Sequence, residues 1–250
     1  MHHRSRRTKS FSTPAHDTPT GQFNQQAPKG MSTYRTVAWI YDMLAAVYSG
    51  GSIERCKQAQ IAALIPETRV LFVGAGSGAD AVTAAARSVS VTAVECSPHM
   101  LARLRSRPEL RRQPVASHLE IIEGDVMAHS RYGYYDAVMA NFFLNTFSQA
   151  RMPGSIAHLM QLLKPEGQLI IGDFSPLRGG HVGRLLQTLH HHLPMLTFSL
   201  LTGSDWHRIH DYRSRLALLG VTLHSSCAFG AFGIGPRWYE SIVARKLPCR

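Results

Sequence analysis

The chain has 250 residues, 44% of them hydrophobic, which is enough for one α/β domain with a complete core. The longest apolar stretches, such as residues 193–201, are shorter than the roughly 20 residues of a membrane-spanning helix, and no two of the four cysteines have CxxC spacing, so we expect a soluble, cytoplasmic protein without a disulfide framework. The formal net charge of +11 leaves nucleic acid, an anionic membrane surface and an acidic substrate open as partners.

Residues 1–30 differ in composition from the rest of the chain. They are rich in Ser, Thr, Pro, Gln, His and Arg, and carry five basic residues and one acidic residue, a net charge of +4. This composition predicts a disordered basic tail ahead of a domain over residues 31–250. An organellar transit peptide is the alternative, but the segment lacks the apolar stripe of such peptides, and we favour an extension upstream of a start at Met31.

The domain begins with two predicted helices and continues with alternating strands and helices. Helical spacing of apolar residues covers 34–48 and 52–64. Strands are predicted at 69–73, 90–95, 119–125, 135–141 and 168–174, with helices at 79–87, 98–105 and 156–163. Alternation of this kind predicts a parallel sheet with helices on both faces.

The order of elements changes after residue 177. Residues 178–203 form a long, mostly apolar insertion, and Ser204 is placed to cap a helix that ends at Leu219 before Gly220. Two more strands follow at 221–227 and 238–245, which brings the number of predicted strands to seven.

A glycine-rich segment follows the first predicted strand. In VLFVGAGSGAD, residues 70–80, an apolar strand runs through Gly74, Gly76 and Gly78 into a helix. Glycines let the backbone turn tightly and approach a ligand, and a helix N-terminus offers N–H groups to an anionic group. The segment also fits the dinucleotide pattern GxGxxA, so an NAD-dependent oxidoreductase stays open.

Glu95 ends the second predicted strand, about 20 residues beyond the glycine loop. A carboxylate at this place accepts hydrogen bonds from ribose hydroxyls in nucleotide-binding folds. The alternative is an exposed loop glutamate, which the apolar strand residues before Glu95 disfavour. The pattern predicts a nucleoside-containing cofactor.

Three downstream motifs separate the alternatives. EGDV (123–126) places Asp125 after the third strand, YDAVMAN forms the fourth, and LLKPEGQLII (162–171) leads into the fifth. Together with the glycine loop, these motifs resemble class I S-adenosylmethionine (SAM)-dependent methyltransferases over about residues 34–245. The resemblance implies a Rossmann-like, seven-stranded, mostly parallel sheet with an antiparallel last strand, plus a helical cap over 178–203.

The resemblance also implies SAM as the cofactor and a role for each motif. The glycine loop would hold the methionine part, Glu95 the ribose, and Asp125 the adenine amino group with Val126 beside the ring. The predicted cofactor-binding residues are Val73, Gly74, Ala75, Gly76, Gly78, Glu95, Cys96, Met100, Asp125, Val126 and Asn141. One departure is Phe72, where many members carry an acidic residue; the contact of that acid is then missing or supplied elsewhere.

Further motifs resemble the ubiquinone/menaquinone biosynthesis C-methyltransferases and their small-molecule relatives. These are VAWIYDMLAAVYSGG (37–51), ECSPHML (95–101), ANFFLNTF (140–147) and GDFSP (172–176). They imply methyl transfer to a small aromatic or lipophilic acceptor. The alternatives are a non-catalytic SAM- or nucleic-acid-binding protein, favoured by the basic charge, and the oxidoreductase; the NFFL sequence after strand four argues against base N-methylation.

Four residues are catalytic candidates. The resemblance suggests that Tyr41 faces the cofactor, with helix packing as the alternative. Asn141 ends the fourth strand, where its amide can orient substrate or SAM. His207 and His210 share a predicted helix face with Asp211, so one histidine can act as a base with an orienting carboxylate. No metal is expected, because the three consecutive histidines 190–192 point about 100° apart on a helix.

The insertion at 178–203 has three alternative roles. Its apolar residues are Val182, Leu185, Leu186, Leu189, Leu193, Met195, Leu196, Phe198, Leu200 and Leu201. In order of preference, these residues line a lipophilic acceptor pocket, lie on a membrane surface, or pair with another subunit.

Overall fold

The computed structural model describes residues 48–177, 180–202, 209–219, 221–230 and 237–247, and over 193–202 it describes the backbone alone. The basic tail, Tyr41 and His207 lie outside the described residues.

Seven strands and seven α-helices make up the described part of the chain. The strands are β1 (Arg69–Val73), β2 (Ser90–Glu95), β3 (Leu119–Glu123), β4 (Tyr135–Asn141), β5 (Leu163–Phe174), β6 (Thr222–Phe229) and β7 (Tyr239–Arg245). The helices are α1 (Ser52–Ala62), α2 (Ala79–Ala85), α3 (Pro98–Arg105), α4 (Val115–His118), α5 (Met152–Leu162), α6 (His181–Thr202) and α7 (Tyr212–Leu218). Short 3₁₀ turns lie at Pro108–Arg111, Val126–Ala128 and Leu144–Thr146.

The strands form one sheet in the order β3-β2-β1-β4-β5-β7-β6. The strands β1 to β5 are parallel to one another, and β7 runs antiparallel to both β5 and β6. The predicted fold class, including the antiparallel last strand, is confirmed. Because the strand order reverses between β1 and β4, the chain leaves a crevice at their carboxyl ends, where open α/β sheets bind ligands.

Two apolar clusters cover the two faces of the sheet. On one face, α5 and α7 contribute Met152, Ile156, Leu159, Tyr212 and Leu216. On the other face, α1 and α2 contribute Ile61, Ala81, Val82 and Ala85. Since both faces are covered, the central strand β1 has side chains buried on both faces, which explains its continuous apolar run, residues 70–73.

Two predicted helix starts were wrong. Helix α5 begins at Met152 instead of residue 156, with Pro153 in its first turn, a position that needs no N–H donor. Helix α7 begins at Tyr212 and not after Ser204, because the Asp211 side chain caps it by accepting the Ser214 N–H (3.2 Å). His210 therefore precedes the helix and does not share a helix face with Asp211.

Candidate functional site

The glycine loop lies at the carboxyl end of β1, beside the crevice. Gly74, Gly76 and Gly78 all have positive φ angles, between 57° and 74°. The loop borders a cavity of about 140 Å³. The residues that line this cavity are Lys57, Phe72, Val73, Gly74, Ala75, Gly76, Ser77, Ala79, Asp80, Met100, Met139 and Asn141. Six predicted cofactor residues thus surround one cavity, whereas Gly78 is buried behind it.

Glu95 links the end of β2 to the glycine loop. Its buried carboxylate accepts the Gly76 N–H at one oxygen (2.8 Å) and the Ser97 N–H at the other (2.8 Å). Since a carboxylate has about four lone-pair sites, both oxygens can still accept hydroxyl hydrogen bonds. Glu95 is therefore placed both to fix the loop and to bind a diol.

The remaining predicted cofactor residues lie at the neighbouring strand ends, outside the cavity lining. Val126 is buried, and the exposed Asp125 accepts the Met127 N–H (2.9 Å). Partial burial, and then the carboxylates of Glu95 and Asp125, raise the pKa of the Cys96 thiol. The influence of both carboxylates on Cys96 indicates that these three side chains lie close together beyond β2 and β3.

Asn141 ends β4 and faces the same cavity. Both polar atoms of its side-chain amide are buried, and neither has a hydrogen-bond partner among the described residues. A buried amide without partners is costly unless a ligand satisfies it. Together with the glycine loop and Glu95, this amide forms a site that fits a nucleoside carrying polar groups. We call this region, the glycine loop and the carboxyl ends of β1 to β4, the cofactor end.

The comparisons with known proteins agree with this geometry. Residues 70–167 match the family model described as a methyltransferase domain. A demethylmenaquinone methyltransferase of Tropheryma whipplei (strain Twist) is 29% identical over 178 residues, which cover 66% of this chain and 72% of that protein. A demethylmenaquinone methyltransferase of Renibacterium salmoninarum is 30% identical over 142 residues, which cover 56% of this chain and 56% of that protein. Together these matches indicate a class I SAM-dependent methyltransferase.

Solved structures show the same fold for this methyltransferase. The 1,6-didemethyltoxoflavin-N1-methyltransferase of Burkholderia thailandensis, with S-adenosylhomocysteine bound, has a TM-score of 0.58 and 18% identity, covering 88% of this chain and 92% of that chain. The magnesium protoporphyrin IX methyltransferase of Synechocystis PCC 6803 has a TM-score of 0.61 and 15% identity, covering 87% and 94%. The assignment to this family decides against the oxidoreductase and the non-catalytic binding protein, and SAM is the cofactor.

Aromatic side chains gather next to the cofactor end of the methyltransferase. Phe142, directly after β4, has a φ of +53°, a strained conformation for a side chain of this size. Its ring meets Phe174 and Tyr239 edge-on, each with centroids 6.0 Å apart. Because β7 is antiparallel, its first residue Tyr239 pairs with Phe174 at the end of β5.

The inward face of α6 completes this group, which we call the aromatic end. Gln187 donates to the Ser175 carbonyl oxygen (2.8 Å), so α6 packs across the end of β5. His190 stacks on Tyr48 with centroids 3.9 Å apart and contacts the Tyr239 hydroxyl at 2.9 Å. Burial lowers the pKa of His190 to about 4, so the ring is neutral at pH 7.

A buried carboxylate lies on the other side of β5. Asp173 accepts hydrogen bonds from the Tyr212 hydroxyl and from Asn145 Nδ2, the latter at 3.1 Å. Burial, together with the Asp173 carboxylate, raises the pKa of Tyr212 well above its usual value, which keeps its hydroxyl protonated as a donor. This network fixes the end of β5 against α7.

The predicted catalytic residues have different outcomes. Asn141 lies at the cavity, and His210 is buried with Nε2 3.1 Å from the Phe147 carbonyl oxygen. The predicted pairing of a histidine with Asp211 was wrong within the described residues, because that carboxylate accepts hydrogen bonds from Ser214 instead. The catalytic roles themselves stay predictions.

The first half of α6 does not line a pocket with its apolar side chains. Val182, Leu185, Leu186 and Leu189 are 51–71% exposed, and their spacing of three and four residues makes one continuous stripe. The pocket-lining interpretation was therefore wrong for these four residues. Polar side chains face inward instead, because Gln187 and the histidines bind the ends of β5 and β7.

Sequence reasoning did not identify the aromatic side chains that meet at the aromatic end. They come from segments that are far apart in the chain, and the three consecutive histidines are interpreted in sequence only as a rejected metal site. Within the described part of the chain, no three His, Cys, Asp or Glu side chains come close enough to hold a metal ion. The strained Phe142 was the local signal, and backbone strain is invisible in a sequence.

Proposed function

We propose that this methyltransferase transfers a methyl group from SAM to a small aromatic or lipophilic acceptor held at the aromatic end. The observation that carries the proposal is the cluster of Phe142, Phe174, Tyr239 and neutral His190 beside the cofactor end. Uncharged rings at the edge of a site favour a planar, apolar ligand. The names of the curated relatives, which specify demethylmenaquinone, support the same class of acceptor.

We propose that the cofactor end holds SAM with backbone and side-chain groups of this chain. The loop through Gly74 and Gly76 would bind the methionine part, Glu95 the ribose hydroxyls, and Asp125 with Val126 the adenine. SAM supplies a methyl group bound to a sulfonium. In this proposal Asn141, with its buried and unpartnered amide, orients the cofactor or the acceptor where the two meet.

The protein's task in such a transfer is alignment and exclusion of water. The network of Asp173, Tyr212 and Asn145 would keep the wall of the acceptor site rigid. A base is needed only when the accepting atom carries a proton. In that case His210 and His207 are the candidates, since burial keeps the pKa of His190 too low for efficient proton removal at pH 7.

The acceptor class is tested by incubating the protein with SAM and a panel of quinols, phenols, fatty acids and lipid extracts. Mass spectrometry should detect a gain of one methyl on ring compounds. Phe174→Leu should lower kcat/KM for the acceptor about 5- to 10-fold by removing aromatic contacts. Tyr134→Leu, just before the first residue of β4 and therefore at the opposite end of the strands, is the matched control.

S-Adenosylhomocysteine affinity should be the same in both variants and in the wild type. Methylation confined to RNA or peptides, with every ring compound untouched, would contradict the proposed acceptor.

We also propose that the exposed stripe of α6 gives the protein a peripheral membrane contact. The helix contains no acidic residue, and the exposed Arg184 lies among the apolar side chains, which suits an anionic lipid surface. The rest of the protein would stay in the cytoplasm. No helix within the described ranges has the length and apolarity to cross a membrane.

Co-sedimentation with anionic and neutral vesicles tests this contact. Leu185→Ser with Leu189→Ser should abolish binding to anionic vesicles, and the protein should ignore neutral ones. Equal binding of the variant and the wild type would remove α6 from the membrane contact.

A further inference from the structure

The position of the missing acid carries an apolar side chain. Phe72 lies inside β1, and its ring packs in the apolar cluster under α1 and α2 and also borders the cavity. The ring has no oxygen that could accept a hydrogen bond from an ammonium group. If this chain uses an acid at the methionine end of the cofactor, another element must supply it.

An ion pair occupies the same cavity. Lys57 of α1 and Asp80 of α2 lie 3.0 Å apart, Nζ to Oδ2, and their side chains are 25% and 16% exposed. Both line the cavity beside Gly74, Ala75 and Gly76. They are the two charged residues in that lining, so this pair sets the local charge along the described cavity wall.

The chemistry of the pair matches one end of the cofactor. The methionine part of SAM carries an α-ammonium and an α-carboxylate at neutral pH, one charge of each sign. Partly buried charges attract such groups more strongly than exposed ones, because solvent screens them less. A neutral cavity wall would leave both ligand charges without compensation.

We propose that Lys57 and Asp80 form the binding site for the amino-acid end of SAM, with Asp80 binding the ammonium and Lys57 the carboxylate. Asp80 thereby takes the place of the acid that Phe72 replaces. The proposal rests on the cofactor assignment and is independent of the proposed acceptor.

Calorimetry on the full chain with four ligands tests the proposal. The ligands are S-adenosylhomocysteine, its decarboxylated analogue, its deaminated analogue, and 5′-methylthioadenosine, which lacks the amino-acid part. Asp80→Asn should weaken the two ligands that carry the ammonium by roughly 10- to 100-fold, the effect of losing one charge-assisted hydrogen bond. It should leave the deaminated analogue and 5′-methylthioadenosine unchanged.

Lys57→Met should give the complementary pattern. Binding of the carboxylate-bearing ligands should weaken, while the decarboxylated analogue and 5′-methylthioadenosine bind as they do to the wild type. Glu166→Gln removes a surface ion pair with Arg245 (3.8 Å) and is the matched control, with no change expected for any ligand. If Asp80→Asn did not fold, Lys57→Met would still test the proposal, by comparing the two ligands that carry the carboxylate with the two that lack it.

A purely structural ion pair between α1 and α2 would change all four affinities together, or none, and either pattern would overturn the proposal. A wild-type chain that bound neither S-adenosylhomocysteine nor 5′-methylthioadenosine would contradict the cofactor assignment, and the proposal with it. If the protein methylated no ring compound, the proposed acceptor would be wrong, but the predicted ligand affinities would not change. The two proposals can therefore fail independently.

Discussion

The cofactor end and the aromatic end lie side by side on one sheet but are built differently. The cofactor end consists of a glycine loop and side chains at consecutive strand ends, so each part follows its strand directly in sequence. The aromatic end joins Tyr48, Phe142, Phe174, His190 and Tyr239 from five separate segments. A site made of backbone and strand ends suits a constant ligand, whereas a site made of scattered side chains can change its ligand by substitution.

The largest expected effect is a loss of stability from a substitution in the glycine loop of the cofactor end. Gly78 has a φ of +74°, and an added Cβ would lie 2.1 Å from Leu104 Cδ1 in the core. Gly78→Ala should therefore lower the free energy of unfolding by about 2–4 kcal/mol, from left-handed strain and overpacking together.

Gly133→Ala is the matched control for Gly78→Ala. It has a similar φ of +61° with no atom near the added Cβ, so its loss should be only about 1–2 kcal/mol. Denaturant melts of both variants measure the difference, and equal losses would show that the Leu104 contact relaxes freely.

The next effect concerns ligand affinity at the cofactor end. Glu95→Ala should weaken S-adenosylhomocysteine binding by about 1.5–3 kcal/mol, because it removes charge-assisted hydrogen bonds. Calorimetry provides the measurement, with Glu166→Gln, at a surface residue near the start of β5, as the control. Unchanged affinity would refute the role of Glu95, and NADH binding in place of SAM would refute the cofactor.

A smaller effect is expected beside the aromatic end. Tyr212→Phe deletes the hydroxyl that donates to Asp173 but keeps the buried ring, so it should cost about 1–2 kcal/mol of stability. S-Adenosylhomocysteine binding should not change if the two ends are independent. Tyr132→Phe, at a residue 59% exposed, is the control for the loss of a hydroxyl.

The smallest effect lies away from both ends and depends on pH. Hydrogen bonds from Arg131 hold the pKa of Glu120 below its usual 4.5. Since the folded-state pKa is the lower one, the stabilisation is complete above about pH 4.5 and is lost as pH falls through the folded-state value. Glu120→Gln should remove this acid dependence, at a cost near neutral pH of about 0.5 kcal/mol because the pair is half exposed.

Thermal melts between pH 3 and pH 7 would show this loss as a flatter curve for Glu120→Gln than for the wild type. A variant that kept the full acid dependence would place its origin in other carboxylates.

The sequence predicted the cofactor end better than the aromatic end for a physical reason. The predicted bounds of β1, β2 and β4 agree with the structure, because buried strands are mainly apolar runs bounded by polar residues or glycine. The start of α7 was wrong, since both Ser204 and Asp211 can cap a helix and local sequence does not rank them.

The orientation of α6 shows what periodicity leaves open. Its apolar residues follow a helical period, which predicts one apolar face but not the partner of that face. Here Gln187 and His190 satisfy polar groups at the ends of β5 and β7, and this turns Leu185 and Leu189 outward. The contacts that decide the rotation come from the ends of β5 and β7, and the helix's own sequence does not specify them.

The two oxygens of Glu95 couple the stability of the glycine loop to ligand binding. They hold the N–H groups of Gly76 and Ser97, and they are also the predicted ribose acceptors. Any ligand that draws on these oxygens thereby changes how firmly the loop is held, and linkage requires the loop to change the affinity for that ligand by the same factor. Departure of the spent nucleoside and loosening of the loop would then be one thermodynamic event, so substitutions in the loop would alter product release without touching the ribose.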